Sequence, residues 1–153
     1  MKKIITTILF LCSILMARNV VVKMATLAPE GTDWHGMLIE MGQEWKEATK
    51  GKVKLRIYPG GVLGDERDMV RKMRIGQIHA AGMTAEGLSE IVPEFSGYFI
   101  PLVYQDSKDV NIVTNELLPG LENKLEEKGF KLLYFGELTW VYWFSTEPII
   151  TPA

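Results

Sequence analysis

Between Asn19 and Pro59 the sequence lays down a strand, a helix and a second strand, and that order constrains what can follow. "NVVVKMAT", Asn19 to Thr26, is short and rich in β-branched residues, the pattern of a buried strand. "LAPEGTD" comes next as a loop, with Thr32 or Asp33 placed to cap a helix. Trp34, Met37, Leu38, Met41, Trp45 and Ala48 then recur at helical spacing, which predicts an amphipathic helix over 33–49, closed by Gly51, with Trp45 in the core. "KVKLRIYP", Lys52 to Pro59, alternates as a half-buried strand does. Val53, Leu55 and Ile57 fall on one side, Lys52, Lys54 and Arg56 on the other.

The alternation continues. "GGVLG" is a turn, Asp65 can cap a helix over 66–75, and Gly76 sits where a glycine ends one. "IHAAGMT", Ile78 to Thr84, reads as a short buried strand. "PEFSGYFIPLVYQD", Pro93 to Asp106, reads as irregular. Ser107 is placed to cap a helical stretch that Pro119 divides near Leu117. "KGFKLLYFGEL", Lys128 to Leu138, predicts another strand, and "WVYWFST", Trp140 to Thr146, one more. Strand and helix in turn argue an α/β architecture, a mostly parallel sheet flanked by helices. A chain of 153 residues has room for about one such domain.

The first residues have another pattern. Met1-Lys2-Lys3 is a short positive segment, Ile4 to Met16 is almost wholly apolar, and Ala17 is a small residue where a peptidase could cut. The apolar run is too short to cross a bilayer comfortably, since about 20 residues are needed. Residues 1–17 therefore read as a signal peptide, which places the protein in a periplasm. Cys12, the one cysteine, falls inside it; Leu11 is the wrong neighbour for a lipid-acceptor site, and the exported chain has no thiol for a disulfide, a nucleophile or a metal.

Candidate chemistry is sparse. In "YPGGVLGDE" the last glycine is followed by Asp65 and Glu66, which repel phosphate where a nucleotide loop needs Lys and Ser or Thr. His35 and His79 are the two histidines, and neither has a ligand-spaced partner, so no metal and no cofactor are expected. There is no G-x-S-x-G elbow to carry a serine nucleophile. Arg67, Arg71, Lys72 and Arg74 make a basic helix, read as a solvated face on which Asp68 can pair with Lys72. The net charge of −2 names no nucleic-acid partner.

Taken in order, "TKGKVKLRIYPGGVLGDERDMVRKMRIGQIHAAGMT", "VPEFSGYFIPLVYQD" and "EKGFKLLYFGE" followed by "EPIITPA" resemble the solute-binding subunits of TRAP transporters, the tripartite ATP-independent periplasmic systems. The resemblance runs from about Val20 to Ala153. It implies a periplasmic-binding-protein-like lobe of a two-lobed protein that closes over a small organic acid and delivers it to membrane permease subunits. On that reading residues 18–139 are the first lobe, residues 140–153 are the crossing strand and the start of the hinge, and the chain is apparently truncated before the second lobe.

Carried over position by position, the resemblance puts ligand contacts on Ala28, Pro29, Asp33 and Trp34, on Thr84, Ala85 and Glu86, and on the strand 140–143. Alternate residues of a strand share a face. Trp140 and Tyr142 are preferred as the ligand-facing pair, because each joins an apolar body to a polar tip. Val141 stands where the family commonly has an arginine, and His79 where an aspartate is usual. An aromatic wall without arginine points to a less polar ligand, or to one held from the other lobe. The residues leave open a second reading, an exported stand-alone module that recognises a partner protein, and they support an enzyme least.

Overall fold

The computed structural model describes residues 19–136 and Thr146. They fall in two compact units divided between Ile100 and Pro101.

The first unit is the α/β layer that the alternation predicts. Strand β1 (Val20–Thr26) leads to helix α1 (Asp33–Ala48), β2 (Val53–Tyr58), α2 (Glu66–Arg74), β3 (Ala80–Gly82), α3 (Ala85–Ser89) and a 3-10 helix, Pro93–Phe99. All three strands are parallel, in the order β2-β1-β3. The register opposes Ala25 to Tyr58 on one side and to Ala81 on the other, so these three share a face. On that face Ala25 packs with Met69 of α2 and Ile78, ringed by Leu63, Met73 and Met83. Met69 is fully buried, and removing such a side chain from water contributes about 2 kcal/mol. Leu55, on the opposite face, meets α1 at Gly42, where an added Cβ would come within 3.1 Å of the leucine Cβ.

The helix ends follow from local chemistry. Thr32 is the N-cap of α1, and its Oγ1 accepts from the His35 amide at 3.3 Å. Asp65 caps α2 by accepting from the Asp68 amide at 2.8 Å. Gly76 takes φ +71° just past α2, and the Gln77 amide donates back to the Lys72 carbonyl at 2.9 Å, as a glycine-ended helix should.

Several expectations need correction. Trp45 is half-buried and not core; the buried residue of α1 is His35. β3 is three residues long and half-buried. Asp68 pairs with Arg71, while Lys72 donates its ammonium to the Leu63 carbonyl at 2.6 Å, a backbone partner nine residues back that charge spacing does not reveal. Residues 93–99 are a 3-10 helix, started by Pro93 at its first position and held by Phe95, which is fully buried and stacks on Tyr98 with ring centres 6.1 Å apart.

In the second unit helix α4 (Ser107–Glu127) runs unbroken through Pro119, and its N-cap is Asp106, whose carboxylate accepts from the amides of Lys108 and Asp109. Proline removes one helical hydrogen bond, a cost of about 3 kcal/mol. The helix absorbs it because Pro119 is exposed, while Leu121 and Leu125, one turn apart, are buried beyond it. Residues 131–136 form no strand, against expectation: a strand needs a ladder partner, and no described strand pairs with them. The predicted strand 140–146 lies, Thr146 apart, outside the described residues.

Candidate functional site

Parallel strands deliver their loops to one edge. Here β1 ends at Thr26, β2 at Tyr58 and β3 at Gly82. The chain leaves β1 for β2 on one side, then crosses back to β3 on the other, so the loops after β1 and β3 diverge from neighbouring strand ends. That switch point is where open α/β sheets bind ligands.

The structure brings seven of the expected contacts to this edge. Ala28, Pro29, Asp33 and Trp34 follow β1; Thr84, Ala85 and Glu86 follow β3, and the opposed pair Thr26 and Gly82 sets the two groups side by side. Ala28, Trp34 and Ala85 are half-buried, whereas Pro29, Asp33, Thr84 and Glu86 are exposed. Trp140 and Tyr142, with Val141, lie outside the described residues.

The first loop is wired to itself. Buried Thr26 accepts the Ala28 amide on its hydroxyl at 3.2 Å. The Pro29 carbonyl accepts the Thr32 hydroxyl at 2.8 Å. Gly31 takes φ +84°, a conformation that glycine adopts without strain, and its amide donates to His35 Nδ1 at 3.2 Å. The imidazole therefore carries its proton on Nε2, and His35 holds the loop from beneath. The β2–α2 turn closes against the same loop: the Gly60 amide donates to the Ala28 carbonyl at 2.8 Å and the Gly61 amide to the Thr26 carbonyl at 3.0 Å. Its glycines serve a turn, as expected. His79 has a comparable task at the other end of β3, where its Nδ1 accepts the Lys23 amide at 3.1 Å.

The second loop is anchored by a residue that sequence reasoning misses. Glu66, in the first turn of α2, is buried, and its carboxylate accepts the Thr84 amide at 2.6 Å and the Thr84 hydroxyl at 2.7 Å. Gly87 leaves room for it, since a Cβ there would stand 2.8 Å from Glu66 Oε2 and 2.9 Å from its Cβ. No local signal separates a buried glutamate at a helix start from a solvated one. Beside it, Arg67 donates Nε and Nη2 to Glu90 Oε1 at 3.1 and 2.8 Å. That hydrogen bond, with the charges of Glu90, Asp65 and Glu86, holds the guanidinium above its ordinary pKa.

Two hollows lie elsewhere on the first unit. One of about 120 Å³ is lined by Lys23, Tyr58, Leu63, Lys72, Gln77 and Ile78. The other, of about 350 Å³, lies along α1 and β2. Neither is lined by an expected contact; the edge itself is two loops whose walls are held by the hydrogen bonds above. Such an edge can orient a small polar molecule through the hydroxyl and carboxylates of Thr84, Glu86 and Asp33 and the indole of Trp34.

The model of the DctP family, bacterial extracellular solute-binding protein, family 7, matches residues 24–153. The chain is similar to the 2,3-diketo-L-gulonate-binding periplasmic protein YiaO of Escherichia coli strain K12, 27% identical over 110 residues that cover 71% of this chain and 34% of that protein. It is also similar to the crystal structure of a TRAP periplasmic solute binding protein from Citrobacter koseri with bound D-glucuronate. The identity is 28%, the TM-score 0.60, and the match covers 69% of this chain and 36% of that one. A TRAP periplasmic solute binding protein from Fusobacterium, with bound sn-glycerol-3-phosphate, shares the fold with a TM-score of 0.67 at 20% identity, over 75% of this chain and 38% of that one. The chain spans about a third of the length of the relatives it matches.

Proposed function

The chain belongs to bacterial extracellular solute-binding protein family 7, the DctP family of TRAP periplasmic solute-binding proteins, which are binding proteins and not enzymes; from that premise we propose that it captures a small organic acid at the C-terminal edge of its sheet and delivers it to membrane permease subunits. In this reading residues 1–17 direct export to the periplasm. Residues 18–139 form one lobe of a two-lobed binder, and 140–153 form the strand that crosses toward the other. Ala28, Pro29, Asp33, Trp34, Thr84, Ala85 and Glu86 are the contacts of this lobe, joined by Trp140 and Tyr142 from the crossing strand.

One observation carries the reading. The loops after β1 and β3 leave adjacent strand ends, and each is fixed from behind by a buried polar side chain, His35 for one and Glu66 for the other. Walls held in this way lose little conformational freedom when a ligand arrives, which favours small-molecule capture. D-Glucuronate and 2,3-diketo-L-gulonate, the acids named for the relatives above, are the first probes to titrate calorimetrically, with succinate beside them. Saturable heat that Asp33→Ala or Trp34→Ala abolishes is the expected result. Absence of heat with all three acids would sink the proposal.

A further inference from the structure

Thr84 has an unusual allocation of hydrogen bonds. Its amide donates to Glu66 Oε1 and its hydroxyl proton to Glu66 Oε2. Although Thr84 is the N-cap of α3, its side chain accepts nothing from that helix. A hydroxyl has one proton and two lone pairs. Here the proton is committed inward, to a buried carboxylate, and the lone pairs remain for whatever meets the exposed side chain.

We propose that Glu66 fixes Thr84 as a hydrogen-bond acceptor at the crevice, so that this wall selects an organic acid bearing hydroxyl groups over a bare dicarboxylate. The inference rests on the proposed capture of an acid at this edge, and goes further by assigning the polarity of one wall. A ligand hydroxyl donates to Thr84 Oγ1; a ligand carboxylate there would place lone pairs against lone pairs. Asp33 and Glu86, exposed on the two lips, add acceptors of the same sign. Arg67, the residue after Glu66, has Nε and Nη2 committed to Glu90. The acid group of the ligand is therefore held away from Thr84, and its hydroxyl-bearing end lies against the β3–α3 loop. Glu66 is a positioning residue in this scheme, acting through Thr84.

Glu66→Gln tests the polarity with little change of shape. The amide oxygen can still accept the Thr84 amide, but the Nε2 that replaces Oε2 must donate to Thr84 Oγ1, and the threonine proton then turns outward. Calorimetric affinities of the protein for D-glucuronate, tartrate and succinate supply the readout; tartrate is succinate with two hydroxyls added. The wild type is expected to favour the hydroxylated acids. Glu66→Gln should lower that preference by about tenfold, the scale of one hydrogen bond reversed. Thr84→Val should weaken the hydroxylated acids by a similar factor and succinate by less, so that the preference shrinks, and Thr84→Ser should keep the wild-type order. A preference that survives both Glu66→Gln and Thr84→Val overturns the inference and leaves the capture of acids standing. If the wild type binds none of the three, both fall together.

Discussion

Gly87→Ala sets two effects against each other, and the structure says which wins. Gly87 lies in α3, and replacing a helical glycine by alanine stabilises by about 1 kcal/mol when the new methyl has room. At Gly87 it has none: the Cβ would lie 2.8 Å from Glu66 Oε2, 2.9 Å from Glu66 Cβ and 2.9 Å from its Cδ. One of these atoms is close to the backbone of α2 and cannot swing clear as a side-chain tip can. Overpacking of this kind costs about 1–3 kcal/mol. Moving the carboxylate to escape it weakens two hydrogen bonds to Thr84, where bonds to charged groups contribute about 1.5–3 kcal/mol each. The loss exceeds the gain. Because a carboxylate that shifts relieves the clash as it stretches the bonds, the two penalties do not add in full, and Gly87→Ala is expected to destabilise the protein by about 2 kcal/mol net. Gly36→Ala in α1 is the control, because its Cβ meets nothing within 4 Å and no positive φ stands against it. It should stabilise by about 1 kcal/mol. Urea titration followed by far-ultraviolet circular dichroism measures both. If Gly87→Ala stabilises as Gly36→Ala does, Glu66 is not held where the Thr84 bonds require, and the anchored loop is refuted.

Phe95→Ala removes a fully buried ring stacked on Tyr98 and should cost about 3–5 kcal/mol in the same titration; a loss below about 1 kcal/mol would mean that the 3-10 segment is not anchored by that ring. Leu102, at the start of the second unit, takes φ +64° with 92% of its surface exposed. Leu102→Asn should therefore raise the urea midpoint, by about 1 kcal/mol of relieved left-handed strain, and a lower midpoint would show that the leucine side chain is stabilising where it stands.

The first unit is legible in the sequence because its signals are local. The cap at Thr32, the alternation of Val53, Leu55 and Ile57, the cap at Asp65 and the glycine at 76 each sit within a few residues of what they specify. The failures share the opposite property. Pro119 suggests a break, but the helix is retained by Leu121 and Leu125, and that burial depends on packing the sequence does not display. Lys128 to Leu138 has the composition of a strand, yet a strand exists only where another edge accepts it. The site divides in the same way. The residues expected as contacts at Ala28, Pro29, Asp33 and Trp34 and at Thr84, Ala85 and Glu86 lie at one edge, because strand ends in a parallel sheet must. Glu66 reads in the sequence as the opening of a helix; its reach to a threonine 18 residues on is a tertiary fact.

That contact also explains why the two lips are built differently. The β1–α1 loop is six residues long, and it can satisfy its own amides and the Thr32 hydroxyl with Thr26, Pro29 and His35, all close by in sequence. The β3–α3 connection is only Met83 and Thr84, too short to fold back on itself, so its amide must find an acceptor elsewhere or remain unpaired. An amide left unpaired in a protected site costs about 1–3 kcal/mol. Glu66 meets that need from the start of the preceding helix, and a carboxylate, having two oxygens, takes the hydroxyl in the same grip. The stability requirement of a short connection thus fixes the donor–acceptor sense of a side chain at the crevice. Any substitution at residue 66 that keeps the fold but changes the hydrogen count on that second atom should alter what the crevice prefers before it alters how firmly the protein folds.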